Sequence, residues 1–256
     1  MSLLARELVA GAADFLARAG AMTRFFGRLL VATPAGLLRP RLLAEQVYNA
    51  GALSLAIIMT SGLFVGMVMG LQGHDLLARI GSEESLGTGA ALTLLKELGP
   101  VVTALLFAGR AGTALASEIG LMRATDQLSA MEIMAVDPIR RVVLPRFLGG
   151  VISMPLLTAI FVMVSIFGVQ LIGVQYFGID RGQFWSEMRG YVEVSDVREG
   201  LIKGLVFGVA CSFIAVFEGY NSEPTAEGVG RATTRTVVVS AVATLVLDYI
   251  VTAILL

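Results

Sequence analysis

Four ionisable side chains sit inside otherwise hydrocarbon-like sequence: the adjacent pair Lys96-Glu97, then Lys203 and Asp248. An ionisable group in such a stretch is expensive, so each is expected to face a partner or a polar cavity. An ammonium is a compact point charge that suits a phosphate. Two lysines arriving from separate segments therefore suit an anionic head group. The same residues also suit a structural Glu97–lysine pair, or lysines reaching along their stems to a membrane surface. Residue types alone leave these readings level. Asp248 has no partner in its own stretch and reads as a structural polar contact. Arg110 and Glu118 read as helix-packing residues. The remaining reactive inventory is thin. One histidine, His74, and one cysteine, Cys211, leave no material for a histidine-rich metal site, a disulfide framework or a thiolate cluster. No G-x-x-x-x-G-K-[ST], H-E-x-x-H or G-x-S-x-G pattern occurs.

The elements that must position those charges are membrane spans. Of the 256 residues, 56% are hydrophobic and 15% charged, and the mean hydropathy is +0.80. Ordinary soluble domains run to about 45–50% and 25%. Acidic and basic residues nearly cancel, 20 against 19, so nothing points to nucleic acid. A span needs about 20 mostly apolar residues. Five stretches qualify: 47–73, 86–116, 143–178, 198–217 and 236–256. The third is long and charge-free after Arg146. It contains no turn cluster, and Pro155 alone signals a kink, so it reads as one span. Leu98-Gly99-Pro100 reads as a helix-breaking cluster in the second. Gly62, Gly66 and Gly70 share one helix face, as do Gly200, Gly204 and Gly208, which predicts close backbone packing. Lysines and arginines number 13 on the N-terminal side of the alternating segments and five on the other. That bias places the N-terminus in the cytoplasm and, after five spans, the C-terminus outside. Lys96 and Lys203 then both lie toward the outer half of the bundle.

Two segments outside the spans carry further signals. In residues 1–45, apolar Leu4, Leu8, Phe15, Leu16, Phe26, Leu29 and Leu30 interleave with Arg6, Arg18, Arg24 and Arg28. This reads as an amphipathic helix on the cytoplasmic leaflet rather than a signal peptide, with a cap packed on the bundle as the alternative. The connection 125–137 reads as a short helix. Ser129 and Glu132 have capping-box spacing, and Asp137-Pro138 ends the helix. Leu128, Met131 and Met134-Ala135 fall on one face. Such a Met-bearing apolar face fills a groove on another protein or packs on its own bundle.

The stretch from Gly109-Arg110-Ala111-Gly112 through Ser117-Glu118-Ile119-Gly120-Leu121-Met122-Arg123-Ala124-Thr125-Asp126-Gln127-Leu128 to Met134-Ala135-Val136-Asp137-Pro138 resembles the MlaE (YrbE) family of permease subunits. The likeness extends to Lys96-Glu97-Leu98-Gly99-Pro100, to Pro145-Arg146 and to Gly230-Arg231-Ala232-Thr233-Thr234-Arg235, and covers essentially residues 45–256. It implies an all-α integral membrane protein. Five transmembrane helices follow an N-terminal interfacial helix over 1–45, and a homodimeric permease domain occupies 46–256. It implies a cytoplasmic ABC ATPase dimer that binds the ATP, so that the chain itself has neither cofactor nor catalytic residue. A STAS-domain protein and a periplasmic MCE-domain hexamer complete the assembly. The implied task is movement of glycerophospholipid between inner and outer membranes, maintaining outer-membrane lipid asymmetry. By matching motif positions, Lys96, Glu97, Leu98, Leu76, Leu77 and Lys203 would line a lipid pocket. Leu128, Met131, Glu132, Met134 and Asp137 would belong to a coupling helix seated on the ATPase. Two rival readings stand beside it. One is an ion-coupled secondary carrier using Glu97 and Asp248. The other is an intramembrane lipid enzyme, poorly served by a single histidine.

Overall fold

The computed structural model describes residues 3–37 and 40–255, with side chains described for 16–34 and 40–255. The described chain is helical throughout, with no strand. Helix α1 (Leu3–Leu37) precedes five long apolar helices: α2 (Pro40–Ala78), α3 (Glu83–Ala124), α5 (Ile139–Tyr176), α7 (Val194–Tyr220) and α8 (Ala226–Leu255). Two short helices lie between them, α4 (Gln127–Ile133) and α6 (Arg181–Tyr191). Each long helix is apolar and long enough to cross a membrane. Even the 27 residues of α7 reach about 40 Å, beyond a hydrocarbon core of about 30 Å. The third span is a single helix, as its lack of turn residues predicts. The bundle has a near end, with α1, α4 and the 221–225 turn, and a far end, with the 79–82 connection, α6 and Leu255.

The helix-breaking expectation at Leu98-Gly99-Pro100 is corrected. Helix α3 runs through it by widening into a π turn over Leu94–Leu98, with the Gly99 N–H donating to the Leu94 carbonyl. Pro100 has no N–H, so the ordinary helical rung to the Lys96 carbonyl cannot form. A wider turn accommodates that missing rung without ending the helix. Similar turns occur at Ala108–Gly112, Ile139–Val143 and Leu171–Tyr176.

Helix α5 packs on both α2 and α7. The glycine faces make this possible. A Cβ on Gly66 would fall on the Ser165 carbonyl, and one on Gly168 would fall on the Leu63 carbonyl. On α7, a Cβ at Gly200 would fall on the Leu95 carbonyl, and one at Gly208 would lie 2.7 Å from Met154 Cβ. The helices touch backbone to backbone, the close approach that small residues permit in lipid. Apolar clusters fill the space between them. One at the near end joins Phe25 and Leu29 of α1 to Ile119, Leu144 and Phe217. One at mid-height gathers Ile58, Phe107, Phe161 and Phe207. One at the far end joins Leu86, Leu94, Val162 and Phe184.

Helix α1 therefore packs on the bundle through Phe25, Leu29 and Ala32, while Leu16, Leu30 and Val31 stay exposed. The expected apolar positions Leu4, Leu8 and Phe15 lie outside the residues whose side chains are described. Helix α8 is the least covered span and shows Val238, Val242, Leu245, Val246 and Tyr249 on its outer face.

Candidate functional site

The four charges singled out by sequence converge at the far end, on the facing sides of α3, α7 and α8. Lys203 is the hub, and its side chain is fully buried. Its Nζ donates to the Lys96 carbonyl at 2.6 Å, to Thr252 Oγ1 at 2.7 Å and to Glu97 Oε1 at 3.0 Å. The first of these acceptors is the carbonyl that Pro100 leaves unpaired, so the lysine supplies the rung the helix lacks. An ammonium has three protons, and these three acceptors use them all. Asp248 Oδ1 lies 3.3 Å from Nζ yet has no hydrogen-bond partner. The pair is an ion pair at the long end of hydrogen-bond distance. Asp248 thus has the partner that its own stretch did not reveal.

Lys96 faces the other way along the same seam. Its Nζ lies 2.9 Å from Asp196 Oδ1 and 3.3 Å from Glu199 Oε2. The second oxygen of Asp196 accepts from the Glu193 N–H at 2.9 Å, in a reciprocal cap that starts α7. Asp196 and Glu199 were not among the candidates read from the sequence. The signal for them existed: residues 196, 199 and 203 are three and four apart and so share one helix face. Thr252, one turn beyond Asp248, carries the same kind of signal. The seam holds two ammonium groups and four carboxylates. Lys96 and Glu97 keep the most contact with the outside, with side chains 38% and 43% exposed, whereas Lys203 has none.

The expected apolar lining divides. Leu77 and Leu98 pack together against the far-end cluster. Leu76 is 67% exposed and turns away from the bundle.

At the near end, α4 begins at Gln127 after Asp126, whose φ of 57° is left-handed. The capping-box reading is corrected here, because Ser129 and Glu132 lie inside the helix. The expected stop at Asp137-Pro138 is corrected: α4 ends at Ile133, closed by Ala135 at a left-handed φ of 57°, and Asp137, which accepts from the Ile139 N–H at 2.9 Å, starts α5. Leu128 is corrected as a partner-facing residue. It is buried in the near-end cluster, and Met131 packs half-buried beside it. The apolar groups that α4 shows to solvent are Ile133 and Met134, 86% and 66% exposed, with Glu132 and Asp137 also exposed. Ile133 was missed because it falls off the Leu128–Met131 stripe.

Arg110 and Glu118 do pack helices together. Arg110 donates to the Asn49 carbonyl at 2.7 Å and to Ser54 Oγ at 3.2 Å, and Glu118 pairs with Arg146 at 3.2 Å.

Five apolar helices with a charged seam walled between three of them define a multi-pass α-helical membrane protein with a polar interior. The sequence matches the family model described as "Permease MlaE" over residues 43–254. It is 56% identical over 215 residues to the intermembrane phospholipid transport system permease protein MlaE of Haemophilus influenzae, covering 84% of this chain and 82% of that one. It is 36% identical over 214 residues to a probable ABC transporter permease protein of Rickettsia typhi, covering 84% and 83%. It is 29% identical over 227 residues to the chloroplastic protein TRIGALACTOSYLDIACYLGLYCEROL 1 of Arabidopsis thaliana, covering 89% and 65%. The chain belongs to the MlaE permease family.

Proposed function

We propose that this chain is the membrane-embedded permease subunit of an ATP-binding cassette transporter. It moves glycerophospholipid between the inner and outer membranes and so maintains outer-membrane lipid asymmetry. It sits in the inner membrane with its N-terminus cytoplasmic and its C-terminus periplasmic, which puts the seam in the periplasmic half. It works as a homodimer with a cytoplasmic ATPase dimer, a STAS-domain protein and a periplasmic MCE-domain hexamer. The chain holds no cofactor, and ATP is bound and hydrolysed on the partner. The name of the Haemophilus relative supports the substrate.

The observation that carries the site is the difference in reach between the two lysines. Lys203 is sealed and holds Glu97 and the α3 backbone in place. Lys96 and Glu97 stay partly exposed at the π turn, although Lys96 Nζ is paired with Asp196 and Glu199 and Glu97 Oε1 accepts from Lys203. In this reading Lys96 meets the phosphate of the head group, and Leu76, Leu77 and Leu98 border the acyl chains. ATP-driven movement of the partner enters through α4, where Ile133, Met134, Glu132 and Asp137 are the groups available for contact.

The test is phospholipid retained by the tagged chain purified in mild detergent. Lys96→Gln is expected to lower bound phospholipid about tenfold, the effect of losing a charge-assisted hydrogen bond, whereas Lys96→Arg, which keeps a cation beside Asp196 and Glu199, should retain it. Unchanged lipid occupancy would remove the head-group role of Lys96.

A further inference from the structure

On the opposite side of the π turn from the charged seam, a cavity of about 450 Å³ lies between the far-end halves of α3, α5, α6 and α7. Its wall is apolar: Leu95 from α3, Val162 and Ile166 from α5, Met188 from α6 and Leu201 from α7. The Thr158 hydroxyl in that wall is spent on the Met154 carbonyl at 2.9 Å. Arg189, in the last turn of α6, is the one charged residue of the lining. It is exposed and takes part in no ion pair among the described residues. The cavity opens on the outer face of the bundle, where Met163 and Leu201 in its wall are 59% and 39% exposed. Its far side is roofed by α6. That roof is fixed, because Phe184 is fully buried in the far-end cluster and Asp180 caps the helix through the Gln183 N–H at 2.8 Å.

The volume falls in the ligand range of about 300–1,000 Å³. A partner's membrane helix running the full height of the bundle along this groove would meet the α6 roof, formed here by Met188 and Arg189. A single acyl chain fits. The guanidinium at the rim matches the phosphate that such a chain carries, which it can grip through two N–H groups. We propose that this cavity is a site for one resident membrane glycerophospholipid, with an acyl chain in the slot and its phosphate on Arg189. Such a lipid is separate from any cargo at the seam. It presses on Leu95, whose neighbours Lys96 and Glu97 form the seam's open edge.

The chain contains one tryptophan, Trp185, on the roof helix and four residues before Arg189. It packs against the far-end cluster one turn from Arg189, close enough for a brominated chain in the cavity to quench it. The full-length chain in maltoside micelles is titrated with a phosphatidylglycerol brominated on its acyl chains, and quenching of Trp185 is followed. Saturable quenching is expected, with native mass spectrometry showing one retained phospholipid per chain at this site. Arg189→Gln should weaken the lipid at least about tenfold. Ala159→Phe, which fills the slot, should abolish saturation, and retention of the wild-type elution profile checks that it folds. Brominated diacylglycerol, which lacks the phosphate, should bind the wild type as weakly as phosphatidylglycerol binds Arg189→Gln. Equal quenching by both lipids, or saturation unchanged in both variants, overturns the proposal. So does a Trp185 shielded from brominated lipid in the assembled transporter but not in the isolated chain, because a protein partner would then be the occupant.

Discussion

The two ends of α7 are held by different physics. At the near end, Phe213, Phe217 and Tyr220 mesh with Phe25 of α1 at ring separations of 6.2, 5.6 and 5.4 Å. Ionic contacts there are fewer: Arg18 pairs with the buried Glu218, and Arg123 donates to the Tyr220 carbonyl. Toward the far end of the same unbroken helix, Asp196, Glu199 and Lys203 meet charges from two other spans. Aromatic packing is short-ranged and divisible, so each ring contributes its own share. A network of buried charges is not divisible, because removing one member strands the others. The aromatic packing of the near end therefore loses only one ring's share at a time, whereas the far-end charges depend together on Lys203, their buried hub.

The sharpest break of that contrast is Lys203→Met. It leaves Glu97 and Asp248 facing each other without an ammonium and frees the Lys96 carbonyl. A loss of about 1–3 kcal/mol is expected for leaving the partly exposed Glu97 and Asp248 without their ammonium, read as lost yield and a lowered melting temperature in detergent. Adding Glu97→Gln and Asp248→Asn should restore part of it. A silent single variant would show that the seam does not hold the bundle together. Phe217→Ala should cost about 3 kcal/mol, a typical value for deleting a buried ring. Its effect should add to that of a distant far-end variant, since contact-free sites are independent. At the bottom of the scale, Arg79→Ala removes an ion pair with Asp75 whose partners are 73% and 70% exposed. A change below about 0.5 kcal/mol is expected, within the error of the same melting measurement. A larger loss would mean that exposure is a poor guide to the value of an ion pair here.

The spans were legible because apolar length is a property of contiguous sequence. So were the two glycine faces, since four-residue spacing maps onto one side of a helix. The convergence of Lys96, Glu97, Lys203 and Asp248 was only half legible. Their cost in lipid marked them, but which charge meets which depends on how three distant helices rotate. The partners Asp196 and Glu199 hid near the polar start of α7, where acidic residues need no special explanation. The direction of Leu128 could not be read either. An apolar residue on an amphipathic turn faces its own core or a neighbour's equally well, and the choice is made by Val142, Phe147 and the rest of the near-end cluster.

The proline at position 100 has a consequence for how the protein is made. The donor that satisfies the Lys96 carbonyl lies 107 residues further along the chain. A ribosome adding about 5–20 residues per second needs roughly 5–20 s to reach it. Throughout that interval the nascent second span enters the bilayer with one rung open, and water must serve it until the fourth span arrives. In the finished bundle, two segments made at different times are joined at this carbonyl by a single ammonium.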